Sequence, residues 1–269
     1  MVDPEFFDVT YVINPHMSGQ QGKVDRRKAR QQWEALKAAY ESIGCPVIVL
    51  PAQPKLVDMV FAANQSFPFV DAQRNKKVIL SRMATQERAP EVAHFADWYR
   101  HQGYTLLTLK SDGAFEGMGD LLWHPDKNIL WGGFGFRTDP KVYEEIAALV
   151  ETPVQLLELI DPEFYHLDTC FSPITSEIAL YYPPAFTVEG QKLLKTFFKD
   201  LIEVPKQEAL VGFACNGDSP DGKHYLLQKG SPVTMRELSA RGFQPVELET
   251  SEFLKSGGSV FCLKMKIPL

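Results

Sequence analysis

Apolar and polar positions along the chain alternate between two periods. Helical spacing predicts five helices: Asp25 to Ile43, Gln86 to His101, Pro140 to Val150, Thr187 to Lys199 and Thr234 to Arg241. A short apolar run bounded by Gly, Pro or polar residues follows each of them and predicts a strand: VIVL (Val47 to Leu50), YTLLTL (Tyr104 to Leu109), VQLLEL (Val154 to Leu159), LIEV (Leu201 to Val204) and PVELE (Pro245 to Glu249). The runs recur about every 45 to 60 residues, the mark of a repeated unit. A small polar motif follows each run, and in most units two further strand-like stretches joined by a turn come next. SFPFV and KKVILSR flank AQRN, DLLWH and NILWGGF flank PDK, and FACNGD leads through SPDGK into HYLLQ.

The unit therefore reads strand, motif, hairpin, helix, repeated five times in a single domain over residues 1–269. The first segment, FDVTYVINP, has no preceding unit, and the last, LKMKIPL, lacks its tail. Pairing these two as strands closes a ring of five units whose equivalent motifs face one centre. An open mixed sheet with helices on its faces is the alternative.

Composition narrows the function classes. Apolar residues at 45% and charged residues at 23% mark an ordinary folded chain, and a net charge of -6 argues against nucleic-acid or anionic-membrane partners. No apolar run is long enough to span a bilayer, and the acidic start MVDPEFFDVTYVINP is unlike a secretory signal. These features predict a cytoplasmic protein with reduced thiols. None of the cysteines (Cys45, Cys170, Cys215, Cys262) forms a CxxC pair, so no cysteine-based metal site is expected.

The motifs carry the chemistry. In unit order they are DMVFAANQSF with Asp58 and Asn64, FEGMGD with Glu116 and Asp120, HLDTCF with His166 and Asp168, FACNGD with Asn216 and Asp218, and SGGSVFC with Gly257, Gly258 and Cys262. A ring would bring carboxylates, an imidazole and a thiol to one axis, which an apolar core would avoid. Alone, each residue has a plainer explanation. Cys262 reads as a core cysteine on a final strand, His166 as a surface or satisfied core histidine, and Glu116 as part of a Gly-rich turn. Asn64 reads as a capped bend, Arg82 and Arg137 as solvated surface, and Asn14 as a turn residue before Pro15. Together they suggest a thiol nucleophile with an acid/base partner. His166 and Asp168 are two apart, so on a strand they would share a face, with Leu167 turned to the apolar layer.

The ordered set MVFAAN, FEGMGD, HLDT and GGSVFC resembles the guanidino-group-modifying superfamily of arginine deiminases, dimethylargininases, amidinotransferases and arginine dihydrolases. The resemblance spans nearly the whole chain and implies a five-bladed pseudo-symmetric α/β propeller of ββαβ units with a central active site. It implies Cys262 as nucleophile, His166 as general acid/base, and Glu116 and Asp168 as carboxylates that hold a guanidinium. It further implies Arg82 and Arg137 as binders of the substrate carboxylate, Arg88 as a competitor of Arg82 for that role, and Asn14 as a substrate contact. Asn64 stands where deiminases and many dimethylargininases resemble one another in having Asp, which is closest to the arginine dihydrolases. The expected activity is hydrolysis of arginine through an S-alkylthiouronium to ornithine, ammonia and carbon dioxide, with no cofactor. The partner expected is a small guanidino compound, with homo-oligomerisation left open. The alternatives are a dimethylargininase or deiminase giving citrulline, and a non-catalytic arginine-binding propeller.

Overall fold

Asp25 starts the first helix because its carboxylate accepts the Lys28 backbone N–H, at 3.0 Å. Helix α1 (Arg26–Ser42) then buries Ala29, Trp33, Leu36 and Tyr40, residues three and four apart along one face. Further helices follow in the computed structural model, which describes residues 1–268. These are α2 (Glu91–His101), α3 (Gly117–Asp120), α4 (Tyr143–Val150), α5 (Val188–Phe197), α6 (Lys206–Leu210), α7 (Pro232–Ala240) and α8 (Ser251–Leu254).

The strands form a mixed α/β fold of small separate sheets. Strands β1 (Ser66–Val70) and β2 (Lys76–Leu80) pair antiparallel, α2 crosses over, and β3 (Thr105–Leu107) pairs parallel to β2. The pattern recurs in β4 (Leu121–Trp123), β5 (Leu130–Phe134), α4 and β6 (Val154–Glu158). It recurs again in β7 (Phe171–Pro173), β8 (Ile178–Tyr181), α5 and β9 (Asp200–Glu203). A reduced form follows: an Asp218–Leu226 bridge, then β10 (His224–Gln228), α7 and β11 (Gln244–Leu248) in parallel. Around α1, among the described residues, only a parallel bridge between Val2 and Leu50 remains.

Several expected elements differ. Helix α2 begins at Glu91 rather than Gln86: residues 86–90 form turns, closed by Glu91 N–H to Arg88 O at 3.0 Å, and Pro90 has no N–H to carry a helix through them. The third predicted helix opens as a 3-10 turn over Pro140–Val142 before α4. FDVTYVINP is not a strand: Asp8 accepts the Val9 N–H, and Asn14 caps the 3-10 turn Pro15–Met17. VIVL is not a strand either. Leu50 alone pairs, and Ile48 is 54% exposed. Of LKMKIPL, residues 263–268 stay outside any sheet, with Met265 and Ile267 packed against the core around Val2 and Leu50, and residue 269 lies outside the described residues. The expected pairing of the two ends is thus replaced by Val2 on Leu50, held by Asp3 N–H to Leu50 O at 3.0 Å and Leu50 N–H to Met1 O at 2.9 Å. Among the described residues, no helix is long and apolar enough to cross a membrane.

Candidate active site

Cys262 is set by a backbone that only glycine permits. Gly257 has φ +82°, and a Cβ on it would lie 2.7 Å from the Tyr165 hydroxyl. A Cβ on Gly258 would lie 2.4 Å from the Phe61 ring. Asn216, from the fourth motif, holds the turn that follows, as its Oδ1 accepts the Ser259 N–H at 2.9 Å. Its Nδ2 donates to Asp168 O at 3.0 Å and to the Cys262 sulfur at 3.2 Å. The thiol in turn donates to Asp168 Oδ2 at 3.2 Å. Sulfur, amide and carboxylate, far apart in sequence, form one buried cluster.

A second cluster adjoins it. Phe115 pairs with Arg82 through the backbone and so places Glu116, whose Oε2 lies 2.7 Å from His166 Nε2 and accepts Arg137 Nη1 at 3.1 Å. Its Oε1 accepts the Ala84 N–H at 3.0 Å. Asp120 ties the two arms together, accepting the Thr138 hydroxyl at 2.7 Å and the Leu167 N–H at 3.0 Å. His166 caps a 3-10 turn, Leu167–Thr169, so the expected shared strand face with Asp168 does not exist. The turn sends the imidazole to Glu116 and the Asp168 carboxylate to Cys262, while Leu167 joins the apolar core as its residue type suggests.

A narrow cavity opens between these clusters. Its wall presents Asn14, Asp58, Asn64, Arg88, Arg137, Tyr165, His166 and Cys262. Glu116 stands behind His166, and Asp168 behind Cys262. Arg82 is not brought to the cavity. Its guanidinium donates instead to the carbonyls of Leu109, Ser111 and Gly113. Arg88 is there in its place, donating to Asn64 Oδ1 at 2.8 Å and paired with buried Glu91 at 2.9 Å. Asn14 lines the wall while its Nδ2 donates to Ser256 O at 3.0 Å. Asp58 was visible in the sequence as a motif residue without a role. Tyr165, whose ring lies 4.8 Å from the Arg137 guanidinium, carried no sequence signal at all.

Three polar atoms of the site are buried with no hydrogen-bond partner among the described residues: Asn64 Nδ2, Asp58 Oδ2 and Asp168 Oδ1. Such groups cost stability; Asn64 and Asp58 belong to the cavity wall, where a ligand can complete the bonding, while Asp168 lies just behind Cys262. Two acceptors and one donor suit a ligand that is cationic and rich in N–H, with one acceptor atom formed or present.

The electrostatics divide the carboxylates. Burial pushes Glu116 up, but Arg137 and the His166 contact outweigh it and hold the group down at about 2. Asp168 has only the thiol, the Asn216 amide and more distant cations to oppose burial, and rises to about 7. Burial, then the neighbouring Asp168, pushes the Cys262 thiol well above its ordinary range. Among the described residues no three His, Cys, Asp or Glu side chains gather as a metal-ligand set.

Gly119 packs against both arms, and a Cβ there would fall 2.4 Å from Asn64 Nδ2 and 3.3 Å from the His166 ring. Gly119→Ala is expected to cost about 1–3 kcal/mol in urea unfolding. It should also lower turnover more than a surface Gly→Ala such as Gly19→Ala.

A family model described as N,N dimethylarginine dimethylhydrolase, eukaryotic, matches residues 10–269. An N(G),N(G)-dimethylarginine dimethylaminohydrolase of Mycobacterium tuberculosis is 39% identical over 267 residues, covering 99% of this chain and 84% of that protein. The bifunctional arginine dihydrolase/ornithine cyclodeaminase AgrE of Nostoc sp. is 36% identical over 268 residues, which is 99% of this chain but only 37% of that protein. The product-bound N-terminal domain of ArgZ, an arginine dihydrolase from the ornithine-ammonia cycle in cyanobacteria, superposes with a TM-score of 0.93 at 35% identity, covering 100% of this chain and 96% of that one.

Proposed function

The chain belongs to the N,N-dimethylarginine dimethylhydrolase family, and we propose that it hydrolyses the guanidinium group of free arginine to ornithine, ammonia and carbon dioxide. The observation that carries this reading is the amide of Asn64. Arg88 occupies its Oδ1 and leaves the Nδ2 donor without a protein partner among the described residues, on a side chain that lines the cavity. A donor there serves a neutral ureido oxygen, which a carboxylate would repel.

The steps follow from the site. The cationic guanidinium enters near Asp168 and Glu116 and is held by charge-assisted hydrogen bonds. Its charge favours loss of the Cys262 proton, with Asp168, hydrogen-bonded to the thiol, as the acceptor. The thiolate attacks the guanidinium carbon. His166 gives a proton to a terminal nitrogen, the C–N bond breaks and ammonia leaves, with an S-alkylthiouronium on Cys262. His166 then takes a proton from water as the water adds to that carbon. The C–S bond breaks, and citrulline forms. Asn64 retains citrulline by donating to its ureido oxygen. A second attack expels the amine of ornithine and leaves a carbamoyl group on sulfur, which water releases as carbamate, the source of ammonia and carbon dioxide. Arg137 and Asn14, on the cavity wall, suit the amino-acid end of the substrate. Arg82, bonded to three carbonyls, is a scaffold residue in this reading.

The five helix-crossed units support a single domain of five blades around this cavity. A thiolate nucleophile suits a reducing cytoplasm, and the mechanism requires no metal or organic cofactor. Nucleic acid and membrane have no part in it, and a homo-oligomer is compatible with it.

Incubation with arginine, followed by quantification of ammonia, citrulline and ornithine together, tests the proposal. The expected result is two ammonia per ornithine with little free citrulline. Citrulline as the end product, or dimethylamine from dimethylarginine with arginine untouched, would assign the chain to a deiminase or dimethylargininase instead.

A further inference from the structure

The fourth motif, FACNGD, supplies no group to the steps proposed above, yet its Asn216 is fully buried and bonded throughout to the segment that carries the nucleophile. Its backbone carbonyl accepts the Phe261 N–H at 3.0 Å. Its Oδ1 accepts the Ser259 N–H at 2.9 Å and the Cys262 N–H at 3.4 Å. Its Nδ2 donates to Asp168 O at 3.0 Å and to the Cys262 sulfur at 3.2 Å. These partners fix which way the amide lies. Turned over, it would set its NH2 against the Ser259 N–H and its oxygen against the Asp168 carbonyl. An N–H, and not a lone pair, therefore meets the sulfur.

That contact is where charge develops. The Cys262 side chain is buried, so a thiolate formed there is out of water and beside a carboxylate. Burial and then Asp168 push the thiol up, and the Asn216 amide and the Ser259 N–H pull the other way. Among the described residues, Asn216 is the only side chain that donates to the sulfur. A neutral N–H···S contact becomes charge-assisted once the proton has left, so it strengthens as the nucleophile forms. It does so again when the C–S bond breaks and the sulfur departs. An interaction that strengthens in those steps raises turnover and not ground-state binding.

We propose that Asn216 is a catalytic residue of the guanidine hydrolysis, its side-chain N–H holding the Cys262 sulfur while that atom carries negative charge, on attack and on departure. The amide neither gives nor takes a proton, so the proton path set out above is unchanged. The assignment rests on Cys262 being the nucleophile, and it holds for arginine and dimethylarginine alike.

Amine release from arginine and from dimethylarginine, together with calorimetric arginine binding in a Cys262→Ser background, tests it on the full chain. Asn216→Ala is expected to lower kcat about tenfold to a hundredfold, the range of one hydrogen bond to a charged group. In the Cys262→Ser background, where no thiolate forms, the same change should alter arginine affinity less than about threefold. An equal loss in both measurements would make Asn216 a brace of the loop and overturn the proposal. An unchanged kcat beside an inactive Cys262→Ser would overturn it too, with the nucleophile left standing. Turnover retained by Cys262→Ser, or absent from the unaltered chain, would instead remove the reading on which the proposal rests. Should Asn216→Ala not fold, Asn216→Asp decides, because it keeps the shape and the acceptor for the Ser259 N–H. It should lose turnover at least as far, with arginine binding not weakened in the Cys262→Ser background.

Discussion

Cys262→Ser is expected to abolish ammonia release from arginine, a loss of at least about 10⁴-fold in kcat, with arginine affinity changed only a few-fold. The sulfur is the group that bonds to carbon in the proposed reaction, and serine keeps the shape while holding its proton far more strongly. Asn216 can still donate to a serine oxygen, and the serine hydroxyl can still donate to Asp168, so the binding geometry survives. The unaltered protein, quenched in acid during turnover, should carry added mass on Cys262. A Cys262→Ser variant with substantial turnover would remove the covalent mechanism. The pH dependence has a defined sign. Asp168, raised by burial to about 7, is largely neutral below that pH and charged above it. Only the charged form holds a guanidinium and accepts the thiol proton. The kcat/KM for arginine should therefore rise as pH goes from about 6 to about 8. A profile flat over that range would show that Asp168 is not the proton acceptor.

The repeat was legible because its helices and central strands follow composition that any local reading can see. Trp131, Leu180 and Leu227 lie in apolar runs and become core. The closure was not legible. FDVTYVINP has strand-like residue types, but Asp8 and Asn14 spend their side chains on local backbone N–H groups, and that competition decides the segment. The motif order pointed to Cys262, His166, Glu116 and Asn64, which fall in or directly behind one cavity. The strand alternation offered for His166 and Asp168 was the wrong geometry, since a 3-10 turn aims the two at different partners. Which of Arg82 and Arg88 reaches the cavity could not be read from spacing, as both lie in one loop. Arg88 lines it, paired with Glu91, a helix residue whose burial beside Arg88 no local pattern announces.

Asn64→Asp is expected to turn the product from ornithine to citrulline. The substitution is nearly isosteric, and Arg88, which donates to Asn64 Oδ1 at 2.8 Å, would bond a carboxylate at least as well, so the fold should tolerate it. What changes is the unpartnered atom of this cavity-lining residue: the Nδ2 donor becomes an acceptor. Arginine, a cation, loses nothing by this. Citrulline loses the donor to its ureido oxygen and meets a negative charge instead. If that one hydrogen bond contributes about 1.4 kcal/mol, within the ordinary net range, the partition between release and second hydrolysis shifts about tenfold. Amino-acid analysis of a timed reaction should show the ornithine-to-citrulline ratio falling by at least that factor, with the first ammonia still released. Arg88→Lys should produce a weaker shift in the same direction, because a single ammonium cannot hold both Asn64 and Glu91 in place. Ornithine formed by Asn64→Asp in undiminished proportion would mean that citrulline is held by other groups, and that the orientation of this amide does not set the end point of the reaction.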